Sequence, residues 1–196
     1  NQAGLDSIKR LPNLTWIDAT KAYYYIFDQK NNCVNLNLLD INANNIKKVT
    51  SIPSNAENHT ITLPSLKVAY TIENNLYFAN GEKHVQVTDN PENVVAGQSV
   101  HRNEFAINGG IFWSPDGNKL AYYNMDESMV TDYPLVDITE RVATAKPIKY
   151  PMAGMKSHEV KLHVYDVASG NDLMIKTGEP AEQYLTSITW NPDNER

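Results

Sequence analysis

Cysteine is almost missing from this chain. Cys33 is the only one among 196 residues, which excludes an internal disulfide and a cysteine-built zinc site. It sits in Asn31-Asn32-Cys33-Val34-Asn35-Leu36 with no histidine nearby, a setting for a structural residue rather than a nucleophile. Basic charge is also scarce. Lysine and arginine number 17 against 23 acidic residues, for a formal charge of −6, and nucleic-acid phosphates call for a basic face. No apolar run approaches the roughly 20 residues of a membrane-spanning helix. The opening Asn1-Gln2-Ala3-Gly4-Leu5-Asp6 lacks the basic-then-apolar layout of a signal peptide, so the protein is expected either to be cytoplasmic or to have lost its true start. The histidines at 59, 84, 101, 158 and 163 show no metal-binding spacing, and neither a metal nor any other cofactor is called for. Catalytic signatures are absent too. There is no Gly-x-Ser-x-Gly elbow, and Ser114, which precedes a proline, reads as a turn residue.

What is present is strand periodicity. Val160-Lys161-Leu162-His163-Val164-Tyr165-Asp166-Val167 alternates apolar and polar residues and ends in the turn Ala168-Ser169-Gly170-Asn171. Strands are expected over 34–39, 61–63, 67–72, 75–79, 119–123 and 160–167. A hydrophobic content of 41% can supply a core, and 11 tyrosines suit half-buried sheet surfaces. No segment keeps helical spacing for a dozen residues. The fold class is all-β.

A repeat organises these strands. Ala22-Tyr23, Ala69-Tyr70 and Ala121-Tyr122 recur at intervals of 47 and 52 residues. Each pair follows a bulky apolar residue, read as Trp16, Leu63 and Trp113. The third copy is the most explicit: Phe112-Trp113-Ser114-Pro115-Asp116-Gly117 is a strand running into a turn in which proline presets φ and glycine accepts positive φ. A fourth copy begins at Thr189-Trp190-Asn191-Pro192-Asp193-Asn194. Four short strands in a period near 50 residues are the mark of a β-propeller blade. About three to four blades fit here, fewer than a closed ring needs, so residues 1–196 are expected to be one piece of a larger propeller. The spacing from Trp113 to Trp190 exceeds the repeat by about 25 residues, and the surplus falls in 125–157. It is expected to be either an insertion that projects for binding or a long loop packed on a neighbour.

Several motifs in order carry a resemblance. His101-Arg102-Asn103-Glu104-Phe105, then Phe112-Trp113-Ser114-Pro115-Asp116-Gly117, then Tyr123-Asn124-Met125-Asp126-Glu127-Ser128-Met129-Val130, then Tyr150-Pro151-Met152-Ala153-Gly154 resemble the N-terminal propeller of the dipeptidyl peptidase IV family. They are most similar to the bacterial members that include prolyl tripeptidyl peptidases. The resemblance implies an eight-bladed propeller joined to a C-terminal α/β-hydrolase domain that holds the serine, aspartate and histidine, a domain not in this chain. It implies a serine exopeptidase releasing di- or tripeptides that end in proline, while this fragment alone is inactive. The implied partners are peptides with a free N-terminus, the protein's own hydrolase domain and a second copy of itself. Export to the periplasm or beyond the cell is also implied, with a signal peptide removed.

The resemblance further places the substrate's α-amino group against a glutamate-bearing propeller segment. Dipeptidyl members carry two adjacent glutamates there. This chain reads Asn103-Glu104, so Glu104 is the expected amine ligand, with Asn103 beside it and Arg102 orienting the segment. A single glutamate is similar to the tripeptide-releasing members. Physically, an exopeptidase that counts residues needs a fixed anion at a set distance from its nucleophile, and a carboxylate against an ammonium supplies strong charge-assisted hydrogen bonds. The bland alternative is that Glu104 pairs with Arg102 on a solvated face. The family's second contact, an arginine in an earlier blade, has no counterpart, since residues 22–40 hold no arginine. Asp126 and Glu127 are expected to make turn and inter-blade hydrogen bonds. The competing class is a non-enzymatic periplasmic propeller that serves as an interaction scaffold.

Overall fold

Alternating segments with tyrosine and β-branched residues on one face pair with their sequence neighbours, and the result is a series of antiparallel meanders. The structure, a computed structural model, describes residues 12–100, 106–139 and 141–193. Fifteen strands and no α-helix lie among the described residues.

The first meander is β1 (Thr15–Trp16), β2 (Lys21–Asp28), β3 (Cys33–Asp40) and β4 (Asn45–Pro53), in that spatial order. It falls within the compact unit that ends at Asn55. Asp18 and Asp28 build its turns, each accepting backbone N–H bonds from the residues two and three positions on. Ala22 and Leu36 are fully buried on the two long strands.

The second unit holds two more meanders. One is β5 (Glu57–Ile61), β6 (Val68–Ile72), β7 (Asn75–Asn80) and β8 (Lys83–Gln86). The other is β10 (Ile111–Trp113), β11 (Lys119–Asp126), β14 (Glu159–Asp166) and β15 (Asp172–Met174), with β9 (Val94–Ala96) also paired to β11. The turn after Trp113 forms as its residues require. Ser114 Oγ donates to Asp116 Oδ1 (2.6 Å) and accepts from Lys119 N (2.9 Å). Gly117 takes φ +67°, and a Cβ there would meet Thr62 at 2.9 Å.

Each Ala-Tyr pair lies on the second strand of its meander, and the structure gives both residues a task. Ala22, Ala69 and Ala121 are buried. Between the second and third meanders, Ala69 joins Leu76, Phe78, Ala96, Ile111, Leu120 and Tyr122 in one apolar cluster. Tyr70 and Tyr122 are also buried, and each hydroxyl reaches polar partners on the outer strands. Tyr70 Oη meets His84 Nδ1 on β8 (2.8 Å). Tyr122 Oη donates to Asp172 Oδ1 on β15 (3.1 Å), whose other oxygen meets His163 Nδ1 (2.7 Å).

A tryptophan contact also repeats. Trp113 Nε1 donates to the carbonyl of Thr60, the residue opposite Ala69 (3.4 Å). Trp190 Nε1 donates to the carbonyl of Phe112, the residue opposite Ala121 (3.0 Å). The fourth copy thus begins with the contact that the third copy makes, although no strand is formed among its described residues.

The apolar landmark of the second copy is corrected. Leu63 stands before a cis proline outside any strand and is 39% exposed. Ile61, opposite Val68, occupies the position that Trp113 holds opposite Leu120. The expected strand over 61–63 ends at Ile61. The surplus at 125–157 is not a loop. β11 runs on to Asp126, and a separate two-stranded sheet follows, β12 (Asp132–Asp137) paired with β13 (Thr144–Lys149).

Candidate functional site

Arg102, Asn103 and Glu104 lie outside the described residues, and the site is built from the residues on either side. The inner edge of β11 is shared by two short strands. β9 covers Asn124–Asp126 and β10 covers Leu120–Tyr122. Tyr123 stands at the break between them. Its carbonyl accepts from Gly97 N (2.8 Å) and its N–H donates to the Gly110 carbonyl (3.0 Å). One strand position is therefore filled from two directions, and residues 98–109 are inserted into it.

The flanks of this insertion are held tightly. Ser99 Oγ donates to the Ile107 carbonyl (2.6 Å), and Gln98 Nε2 donates to the Glu73 carbonyl (2.9 Å). Val100 and Ile107 are buried with Tyr123 and Val160, and Phe112, Leu185 and Ile188 pack against them. Tyr123 Oη donates to the Leu185 carbonyl (2.6 Å), and burial raises its phenol pKa. At the neck the backbones nearly touch, for a Cβ on Gly110 would lie 2.1 Å from the Gln98 carbonyl oxygen. Glycine is obligatory there because no side chain could be accommodated. A shallow cavity beside the neck is lined by Ile107, Asn108, Gly109, Phe112, Tyr123 and Ile188, among others.

The other singled-out residues are in view. Ser114 is buried within its turn bonds and faces no base, as a turn residue should. Asp126 behaves as expected, its Oδ1 accepting from Ser128 N (2.9 Å); that bond holds its carboxyl below the usual range. Glu127 makes its blade contact through the backbone, N–H to the Asn93 carbonyl (2.9 Å). Its carboxyl lines an open cleft with Glu92, Asn93, Asp132, Ile148 and Lys149. Burial pushes that carboxyl above its ordinary range, with Lys149 opposing and Asp126 and Asp132 reinforcing the shift.

Sequence reasoning missed the neck. Gly97 and the Gly109-Gly110 pair bracket the insertion in the sequence, and paired glycines flanking a strand break were the readable signal. It also missed the Tyr122–Asp172–His163 bonds, whose members are 9 and 50 residues apart. Among the described residues no cluster of histidine, cysteine, aspartate or glutamate could hold a metal ion, and no helix is long and apolar enough to cross a membrane.

Known proteins match this arrangement. Residues 12–196 match the family described as the dipeptidyl peptidase IV (DPP IV) N-terminal region. A Bacteroides ovatus protein assigned as a dipeptidyl aminopeptidase IV superposes with a TM-score of 0.76 at 45% identity, over 91% of this chain and 24% of that one. Porphyromonas gingivalis dipeptidyl peptidase 4 shares the fold, with a TM-score of 0.64 at 24% identity over 84% of this chain and 25% of its own. A Podospora anserina protein assigned as a dipeptidyl-aminopeptidase B is 31% identical over 144 residues, which cover 63% of this chain and 16% of the relative. The chain thus spans under a fifth of that relative and about a quarter of the two solved proteins. The meanders are propeller blades, and this all-β chain, part of a β-propeller, belongs to the dipeptidyl peptidase IV N-terminal region family.

Proposed function

We propose that residues 1–196 are part of the N-terminal propeller of a serine exopeptidase, and that this propeller gates access and recognises the substrate's N-terminus. The observation that carries the reading is the family match across residues 12–196. The insertion between β9 and β10 supports it, because an amine-binding segment must be held at a fixed place. A free α-amino group is a cation, and Glu104 is the carboxylate offered to it, with Asn103 and Arg102 beside it. Substrates are then peptides with a free N-terminus and a proline near it. The protein's own C-terminal α/β-hydrolase domain supplies the nucleophile, and a second copy of the protein is a further partner. An exported protein, periplasmic or secreted, meets such peptides.

The relatives named above are dipeptidyl enzymes, whereas the lone Glu104 favours tripeptide release, because one anion set further from the nucleophile leaves room for one more residue. The test uses the full-length protein with Xaa-Pro and Xaa-Xaa-Pro reporters, free and acetylated at the N-terminus, and reads product masses. The reading expects cleavage after proline from free N-termini only, with loss of activity on labelling by a serine-directed fluorophosphonate. Equal cleavage of acetylated peptides overturns N-terminal recognition. An inert protein overturns the enzyme in favour of the interaction scaffold.

A further inference from the structure

The β12–β13 hairpin differs from every other sheet of the second unit, since its strands bond only to each other. Its connection to the blade is confined to its root. On entry, Glu127 N–H is bonded to Asn93 and its carbonyl accepts from Val130 N (3.0 Å). On exit, Tyr150 N donates to the Thr131 carbonyl (3.0 Å). Lys149 spans the two, its ammonium donating to the Val130 carbonyl (3.2 Å) and pairing with Asp132 (3.1 Å). Between root and blade lies the open cleft, with Glu92 and Glu127 on the blade side and Asp132 and Lys149 on the hairpin side. Three carboxyl groups therefore face one ammonium. Asp126 adjoins them on the same strand end, opposite Glu159 of β14, and Lys161 of β14 acts on Asp126.

We propose that the hairpin is a hinged arm whose position over this cleft is set by the charge on Glu127. With Glu127 ionised, the blade wall and Asp132 repel across the cleft and the arm stands off. When Glu127 takes up a proton, one of the opposing charges is gone, and Lys149 holds Asp132 against a neutral wall. The arm then closes, and its root amides are withdrawn from water. Glu127 is the group that titrates first because its carboxyl is half-buried and lies beside two other acids. Hinge-like action suits an element with few contacts to the blade and a solvent-filled cleft beneath it.

Hydrogen exchange read by mass spectrometry on the full-length protein tests this, at about pH 7.5 and about pH 4.5, on either side of an upward-shifted carboxyl. Rates are corrected for the intrinsic pH effect and referenced to peptides from β6 and β7. Peptides spanning 128–150 are expected to exchange about two- to fivefold more slowly at the lower pH, the size of effect a partly exposed ionic contact can produce. Glu127→Gln should show the slow rate at both values, and Asp132→Asn should shrink the difference. If wild type shows no difference, or if Glu127→Gln keeps it in full, the hinge is overturned. Because glutamine preserves shape, unchanged β6–β7 exchange in that variant shows that the blade is intact.

Discussion

β11 and β12 are near neighbours in sequence with opposite fates. β11 buries Leu120, Ala121, Tyr122 and Tyr123 in succession, whereas β12 leaves Asp132 through Val136 exposed. The difference lies in what surrounds them. β11 is a central strand, bonded on one side to β14 in eight register pairs and on the other to β9 and β10. A central strand of a blade stacked against its neighbour is covered on both faces, so a continuous apolar run is stable there. β12 has a single partner and no sheet stacked on it. The blade therefore holds the stability, and the insertion is free to serve the surface.

Truncation should separate the two regions most strongly. Leu120→Ala removes a fully buried side chain and should cost about 2–5 kcal/mol, whereas Val136→Ala, at a position 66% exposed, should cost under about 0.5 kcal/mol. Thermal unfolding of the full-length protein reads both. A comparable loss from each would erase the distinction.

Gly110→Ala probes the neck. Its new methyl would collide with the Gln98 backbone, and about 1–3 kcal/mol is expected from the forced shift, seen as a lower Tm. Full retention of Tm would mean that the two flanks are not held together. A smaller effect is expected from Tyr122→Phe, which deletes the donor to Asp172 and should cost about 1 kcal/mol. Exchange at the β15 amides should rise in that variant, since β15 has one fewer tie to the blade.

The smallest effect concerns acid. Lys146 beside Asp137, helped by Thr139, holds the Asp137 carboxyl down at about 2. A lowered folded pKa means that its contribution is present above the ordinary aspartate value of 3.8 and is lost as pH falls toward about 2. Exchange across β12–β13 should therefore quicken over that window in wild type and not in Asp137→Asn.

How much of this was legible follows the same division. The Ala-Tyr pairs exposed the repeat because each occupies an equivalent buried place on a second strand, and equivalent burial selects equivalent residues. The Ser114–Gly117 turn was legible because its chemistry is local. Leu63 misled because a bulky residue six positions before an alanine fits the pattern, while the geometry had already turned at the following proline. The β12–β13 sheet was hidden by Pro134 and Pro147, residues that argue against strands. In the structure they stand opposite each other in a sheet with no third strand, where a missing N–H costs little. The neck at Gly97 and Gly110 and the Tyr122–Asp172–His163 bonds join residues far apart in sequence, and no local pattern announces them.

The most direct test of the account is kinetic. Glu104→Gln in the full-length protein keeps the side chain's shape and removes its charge, so a free α-amino group would lose its partner in a confined site. Breaking such a pair costs roughly 2–4 kcal/mol, equivalent to a fall of about 30- to 1,000-fold in kcat/KM for a free Xaa-Xaa-Pro reporter. The acetylated reporter, which carries no ammonium, should be equally poor with wild type and variant. If Glu104→Gln cleaves the free peptide within about threefold of wild type, a difference below roughly 0.7 kcal/mol, Glu104 does not hold the amine and the propeller does not read the N-terminus through it.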